Sequence, residues 1–455
     1  MAKKIIVIGG GPAGYTAAIR AAQLGAEVTL AEESGVGGTC LQAGCIPTKA
    51  LLRAAEFYRL ASRGGVPGVK ISGLELDWTA AQAGKQAIVD RLTGGVEYLL
   101  RRNGVTLIKE RAVPLSGQLV EIGEQTHTAD AVILAAGSVN RPLSFPGDDL
   151  PNIIDSTAAL SLERLPESIL IAGGGVVGVE FATLFASLGV KTTIIELIPR
   201  LLPSMDPEIS AFLEASLTAD GIAVHTGARL AQAEAAPGGL KISFDKNGET
   251  WIADASMMLV AAGRKANTEG LNLDGVGALT SGGVPLLRDN NETMAPGLYA
   301  VGDCSGGIML AHAAMAQGTR VAERVMGAAS PVCFNSVPSC VYSSPEIASA
   351  GLTENALQES ETDYVAGRFD LAGNAKSMID GGGGFVKILA GRKYGEILGV
   401  HIVGPHATEL IAEASLCMNL EGTADDLIGV IRAHPTVCES IHEAALSIFG
   451  SPIHG

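Results

Sequence analysis

Residues 4–14 read Lys-Ile-Ile-Val-Ile-Gly-Gly-Gly-Pro-Ala-Gly, and residues 168–178 read Ser-Ile-Leu-Ile-Ala-Gly-Gly-Gly-Val-Val-Gly. Each is an apolar strand that runs into a GxGxxG turn and then into an Ala-rich, helix-forming stretch. In each copy an acidic residue follows at the end of the next strand. Glu32 lies 18 residues past Gly14, and Glu196 lies 18 past Gly178. The glycines permit a tight turn and let backbone approach a pyrophosphate, which then rests on the N-terminus of the helix. The carboxylate accepts hydrogen bonds from an adenosine ribose. One glycine turn before a helix is common. Two, each with strand, helix and Glu at the same spacing, commit the chain to two nucleotide-binding βαβ units and an α/β fold.

The 455 residues are enough for about three domains of ~150 residues. The formal net charge is −16, from 32 basic and 48 acidic residues. Nucleic-acid binding needs a basic face, so that class is disfavoured. No apolar run approaches the roughly 20 residues that span a membrane. Met1-Ala2-Lys3-Lys4 followed by Ile5–Ile8 mimics a signal peptide, but the run is short and opens into the glycine turn, so it reads as a first strand. Seven cysteines, an odd number, do not form a secreted disulfide framework, and the expected location is the cytoplasm.

Shortly after the first unit comes a CxxxxC pair, Cys40 and Cys45, within Gly37–Ala50, GGTCLQAGCIPTKA. Metal binding usually needs two closer pairs or nearby histidines. Two thiols beside a nucleotide loop instead describe an electron relay that cycles between dithiol and disulfide.

Three further strands are expected. Ala131–Ser138 and Met257–Arg264 each end in a small-residue turn, and Gly297–Asp303 ends in an aspartate. Ligands of open α/β sheets sit at the carboxyl ends of strands, so Asp303 is a candidate cofactor contact, with a helix cap as the bland alternative. From about Pro331 the pattern changes to antiparallel strands at 384–389 and 397–403 and a helix over 409–419. This reads as a separate α+β module. Near its end, His434 and Glu439 stand five apart; on residue type alone His434 reads as an ordinary surface histidine.

These motifs together resemble the pyridine nucleotide–disulfide oxidoreductases, over essentially the whole chain and in the expected order. The most specific segments are GGTCLQAGCIPTKA, GGGVVGVEFA (173–182), VGDCSGGIMLAH (301–312) and AHPTVCE (433–439). The resemblance implies an FAD-binding domain over 1–145, an NAD-binding domain over 146–270, a central domain over 271–330 and a C-terminal dimerisation domain over 331–455. It implies a homodimer whose active sites each take a His-Glu pair from the other subunit. Gly9, Gly11, Gly14 and Glu32 would hold the ADP half of FAD. Asp303 would bind its ribityl-phosphate side, and Met309–His312 would lie along the flavin ring. Gly173, Gly175, Gly178 and Glu196 would hold NAD. Thr39, Ala112, Ser138, Met309, Ala311 and Gly263 are further cofactor contacts on this reading. Cys45 would be the thiol beside the flavin and Cys40 the one that attacks substrate. Lys49 would sit by the flavin and pair with Glu180. His434, oriented by Glu439, would be the general base.

The implied activity is that of the branch that oxidises dihydrolipoyl groups to lipoyl groups and reduces NAD+. A carboxylate at Glu196 suits a 2′-hydroxyl and repels a 2′-phosphate, which favours NAD although Arg200 lies close. The implied partner is a lipoyl-bearing protein of a 2-oxoacid dehydrogenase or glycine-cleavage type system. Rivals are an NAD(P)H-dependent reductase of another disulfide, or a non-catalytic subunit of such an assembly; a mercury-reducing role lacks its C-terminal cysteine pair. The sequence departs from the family at Arg432, where relatives often carry His, and at Cys438, Ser343 and Ala266. Cys438, Cys304, Cys333, Cys340 and Cys417 read as small buried fillers.

Overall fold

The structure is a computed structural model and describes residues 2–278 and 280–454. The two echoing segments build two five-stranded parallel sheets. In the first, Lys4–Ile8 lies between Glu27–Ala31 and Ala131–Leu134, with Thr106–Ile108 and Leu298–Ala300 at the edges. In the second, Ser168–Ala172 lies between Lys191–Glu196 and Met257–Val260, with Ala223–Thr226 and Ile153–Ile154 outside them. In both, the chain leaves the glycine-turn strand on one side and returns on the other. That reversal opens a crevice at the carboxyl ends, where the glycine turns sit.

The central strands are apolar on both sides because helices cover one face of each sheet and an antiparallel meander with its loops covers the other. Val7, Ile133, Leu134, Leu170 and Ile171 are fully buried. Each such side chain contributes roughly 1.5–3 kcal/mol on burial. Behind the first sheet, helix Pro12–Gln23 packs against helix Ala311–Val325 with alanines at the contact. Gly318 faces the Ala13 carbonyl, and a Cβ there would overlap it. That close approach holds the segment from Asp303 to His312 at the first glycine turn.

Each parallel unit also carries a three-stranded antiparallel meander: Ala112–Pro114, Leu119–Ile122 and Gln125–Thr128 in one, Ala228–Ala236, Gly239–Lys246 and Glu249–Ala255 in the other. Ser138–Asn140 pairs antiparallel with Arg264–Ala266 and straps the two units together. The C-terminal unit is a five-stranded antiparallel sheet in the order Ser339–Val341, Ile347–Gly351, Ile397–Val403, Phe385–Gly391, Tyr364–Asp370. Helices Ala407–Asn419 and Glu439–Phe449 cover it. No helix among the described residues is long and apolar enough to cross a membrane.

Candidate active site

The two glycine turns are built alike. Gly9 and Gly173 have φ of +101° and +123°, which only glycine adopts without strain. A Cβ on Gly14 would overlap the Gly9 carbonyl, and one on Gly178 would overlap that of Gly173. The helices that follow, Pro12–Gln23 and Val176–Ser187, have Gly11 and Gly175 as N-caps and no side-chain cap. Helices Trp78–Arg102 and Pro207–Ala219, by contrast, are capped by the side chains of Asp77 and Asp206. At the two glycine turns the first-turn N–H groups are therefore left for an anion. Each unit's carboxylate grips the middle glycine of its own turn. Glu32 accepts from the N–H of Gly10 at 2.6 Å, and from Ser34 and Gly35. Glu196 accepts from Gly174 and from Ile198, the latter at 2.7 Å. These donor sets fit two dinucleotides. Arg200 donates to the Pro203 carbonyl of its own loop at 2.7 Å.

The cysteine pair is docked on the first turn. Gly37 donates to the Gly10 carbonyl at 2.8 Å, and Gly38 lies against Gly11. Helix Gly38–Ala43 carries exposed Thr39 and half-buried Cys40. Gly44 then breaks the helix, and Cys45 becomes the first residue of helix Cys45–Ser62, again without a side-chain cap. Both are free thiols, and they share a hydrogen bond. That bond lowers the Cys45 pKa to about 7 against the opposing effect of burial, with help from Lys49. It also raises the Cys40 pKa, as does burial. The uncapped helix N-terminus favours the same thiolate.

One turn along that helix, Lys49 Nζ lies 2.8 and 2.7 Å from the two carboxylate oxygens of Glu180, on the helix of the second unit. Tyr342 completes this group. Its N–H donates to Glu180 at 3.1 Å, and its ring centroid is 4.7 Å from the Lys49 ammonium. Ser138 donates to Asp303, which stands in the short helical turn Gly302–Ser305 after its strand. Arg264 donates from Nε to the Ser138 hydroxyl at 2.7 Å, and from its terminal nitrogens to the Ser138 carbonyl and the Asn140 side chain. Met309 and Ala311 flank Leu310, the N-cap of helix Ala311–Val325. Ala112 is buried in the first meander, and exposed Gly263 accepts from the Arg141 N–H at 3.0 Å.

His434 is both a surface residue and a partnered one. Its side chain is 74% exposed, and its Nδ1 lies 2.9 Å from Glu439 Oε1. Glu439 accepts from the Thr436 N–H through its other oxygen at 2.9 Å. Burial opposes ionisation of Glu439, but these two hydrogen bonds outweigh it and hold the carboxyl below its ordinary pKa. Among the described residues of one chain only Nδ1 is bonded, which leaves the outward nitrogen Nε2 for a reacting group. Among the described residues of one chain, no hydrogen bond or ion pair joins this dyad to Cys40. Arg432 turns inward, to Glu413 and the carbonyls of Leu427 and Val430.

Cysteine burial needs one correction. Cys304 is buried, whereas Cys333 is exposed, because it lies in an irregular loop that no helix or strand covers; Cys340, Cys417 and Cys438 are partly exposed. Sequence reasoning also missed Tyr342 and Arg264. Nothing local marks either, since their partners come from distant segments.

A family model described as pyridine nucleotide-disulphide oxidoreductase matches residues 3–318, and that family's dimerisation domain matches residues 337–445. The chain is 40% identical over 459 residues to a dihydrolipoyl dehydrogenase of Bacillus subtilis (strain 168), covering 99% of each. It is 37% identical to a mitochondrial dihydrolipoyl dehydrogenase of Pisum sativum, over 99% of this chain and 92% of that one. It superposes on the crystal structure of LpdA from Mycobacterium tuberculosis with a TM-score of 0.89 at 27% identity, covering 98% and 99% of the two chains.

Proposed function

The chain belongs to the pyridine nucleotide-disulphide oxidoreductases, and on that footing we propose how its residues divide the work of the reaction it catalyses. That reaction is the FAD-dependent oxidation of dihydrolipoyl groups to lipoyl groups, with NAD+ reduced to NADH. A dithiol loses two electrons and two protons; NAD+ takes a hydride, and one proton is released.

His434 Nε2 takes the proton of a substrate thiol, while Glu439 fixes the ring through Nδ1 and supports its positive charge. The substrate thiolate attacks Cys40 Sγ of the oxidised pair. The Cys40–Cys45 bond breaks, and Cys45 leaves as the thiolate that its helix terminus, Cys40 and Lys49 favour. The second substrate thiol then attacks its own mixed-disulfide sulfur, which closes the lipoyl ring and frees Cys40, whose departing sulfur takes up the proton that this thiol gives up. Bound FAD supplies the two-electron relay from the reduced pair to NAD+. Gly9, Gly11, Gly14, Glu32, Thr39, Ala112, Ser138, Asp303, Met309 and Ala311 hold the flavin. Gly173, Gly175, Gly178, Glu180, Glu196 and Gly263 serve the nicotinamide cofactor. The observation that carries this reading is the hydrogen-bonded thiol pair seated on the first glycine turn, with Lys49–Glu180 linking it to the second unit.

His434 faces outward from the C-terminal unit, so we assign it to the Cys40 of a second copy. The match to a dimerisation domain supports that homodimer. The division at 145, 270 and 330 is likewise a proposal. It is supported by the start of the dimerisation match at 337 and by the pairing of Leu298–Ala300 with the first sheet. We place the chain in the cytoplasm, with a lipoyl arm on another protein as its substrate.

Assays of free dihydrolipoamide with NAD+, and of glutathione disulfide and thioredoxin with NADPH, test the reading. Turnover is expected with the first pair. Glutathione disulfide reduction by NADPH, without dihydrolipoamide oxidation, would overturn it.

A further inference from the structure

Lys387 lies on strand Phe385–Gly391 of the antiparallel sheet and is 2% exposed. A buried ammonium must be paired. Its partners come from beyond its own sheet: Asp206 at 3.1 Å and Glu208 at 2.8 Å from the second dinucleotide unit, and Glu354 at 2.6 Å. Burial alone would lower the Lys387 pKa, but the three carboxylates outweigh it and raise it. Asp206 is fully buried. It caps helix Pro207–Ala219 through Glu208 N–H and also accepts from Glu354 N–H at 3.1 Å. His401 Nε2 stands 4.0 Å from it.

Asp206 ends the segment that runs from Glu196 to that helix. Leu202 in this segment has φ of +46°, a left-handed conformation that leucine rarely adopts. Such a residue persists only where its surroundings over-determine it. Its N–H donates to the Gly174 carbonyl at 2.9 Å, and its own carbonyl accepts from Met205 N–H and from the Ser210 hydroxyl. Leu201, fully buried, packs on Gly174. Gly174 is therefore held from both sides, by Glu196 at its N–H and by Leu202 at its carbonyl. The chain of contacts runs without a gap from Lys387 to the second glycine turn.

We propose that Lys387 is a positioning residue for NAD: by fixing Asp206 it holds residues 201–206 against Gly174 and keeps the Gly173–Gly175 turn in its pyrophosphate-binding shape. This rests on reading that turn as the NAD site. The C-terminal sheet thereby shapes a cofactor site built on another unit.

The test uses FAD-loaded Lys387→Gln enzyme, with Asp206→Asn as a second variant that keeps the cap's shape if the first fails to fold. NAD+ affinity should fall about tenfold, equivalent to ~1.4 kcal/mol of binding. KM for NAD+ should rise alongside it, with kcat and KM for dihydrolipoamide little changed. Amide exchange over residues 199–206 should accelerate about tenfold while that of 169–172 stays slow. Gly175→Asp, at an open position where a Cβ meets nothing within 4 Å, is the control. If Gly175→Asp loses NAD+ while folded variants at both Lys387 and Asp206 bind it like the parent, the anchor is wrong. If Gly175→Asp binds NAD+ normally, the turn is not the NAD site and the inference falls with that reading.

Discussion

Lys49 and Glu180 meet across 131 residues of sequence, the ammonium 2.7 Å from the carboxylate, and so tie the cysteine helix to the helix of the second dinucleotide unit. The side chain of Glu180 is only 5% exposed. An unpaired charge there would be costly, so the pair fixes Lys49 one turn beyond Cys45. The positive charge beside the thiol pair is thus set by tertiary packing, and it adds to the effect of Cys40 in lowering the Cys45 pKa.

Cys40→Ser should abolish lipoamide turnover while FAD stays bound. Cys45→Ser should also remove the long-wavelength absorbance band that a thiolate beside oxidised flavin gives in the two-electron-reduced enzyme. Absorbance spectra and steady-state rates check both. Near-normal lipoamide reduction in either variant would sink the relay.

The pH dependence of that band has a definite sign. The hydrogen bond from Cys40, opposed by burial and aided by Lys49, brings the Cys45 pKa down from its ordinary value to about 7. The thiolate is the form above that pKa, so the band should grow as pH rises through about 7 and fade below it. Lys49→Met removes a lowering influence and should move the midpoint upward. An anaerobic pH titration of reduced enzyme measures it; a midpoint unmoved by the substitution would mean that Lys49 does not act on the thiol.

Cofactor choice should follow the second carboxylate. Glu196 is held by two backbone N–H groups, and Arg200 is occupied with the Pro203 carbonyl. A carboxylate repels a 2′-phosphate, and the nearby Arg200 is turned to its own loop. NADH should therefore exceed NADPH in kcat/KM by at least about tenfold, which corresponds to ~1.4 kcal/mol of differential binding. Equal use of both would show that Arg200 swings out to override Glu196.

The local signals were the legible ones. The glycine turns, the strands at 4–8 and 168–172, the antiparallel strands at 385–391 and 397–403 and the helix ending at Asn419 stand where periodicity and turn chemistry put them. Roles such as that of Lys49 came from resemblance. What stayed hidden depends on contacts between distant segments. Tyr342 reaches Glu180 across 162 residues and Lys387 reaches Asp206 across 181. In sequence, Lys387 is one polar residue in a strand, where a solvated face is the default. Its burial is decided by carboxylates on another unit. The exposure of Cys333 was hidden for the same reason, since residue type suggests burial and only the loop's position denies it.

His434 carries the sharpest remaining test, because a side chain 74% exposed also fits a plain surface role. If it is the base, His434→Gln should lower dihydrolipoamide oxidation by about 10²–10⁴-fold, the usual range for a lost general base. NADH reduction of the flavin and disulfide should fall far less, since no substrate thiol loses a proton in that half-reaction. Glu439→Gln should be milder, because Glu439 orients the ring through Nδ1 and transfers no proton itself. The same experiment can test the shared site. Cys40→Ser subunits and His434→Gln subunits are each expected to be inactive. A heterodimer of the two would hold one site with both residues intact, so mixing should restore activity. If mass measurement shows that subunits have exchanged and no activity returns, His434 does not serve the partner's Cys40.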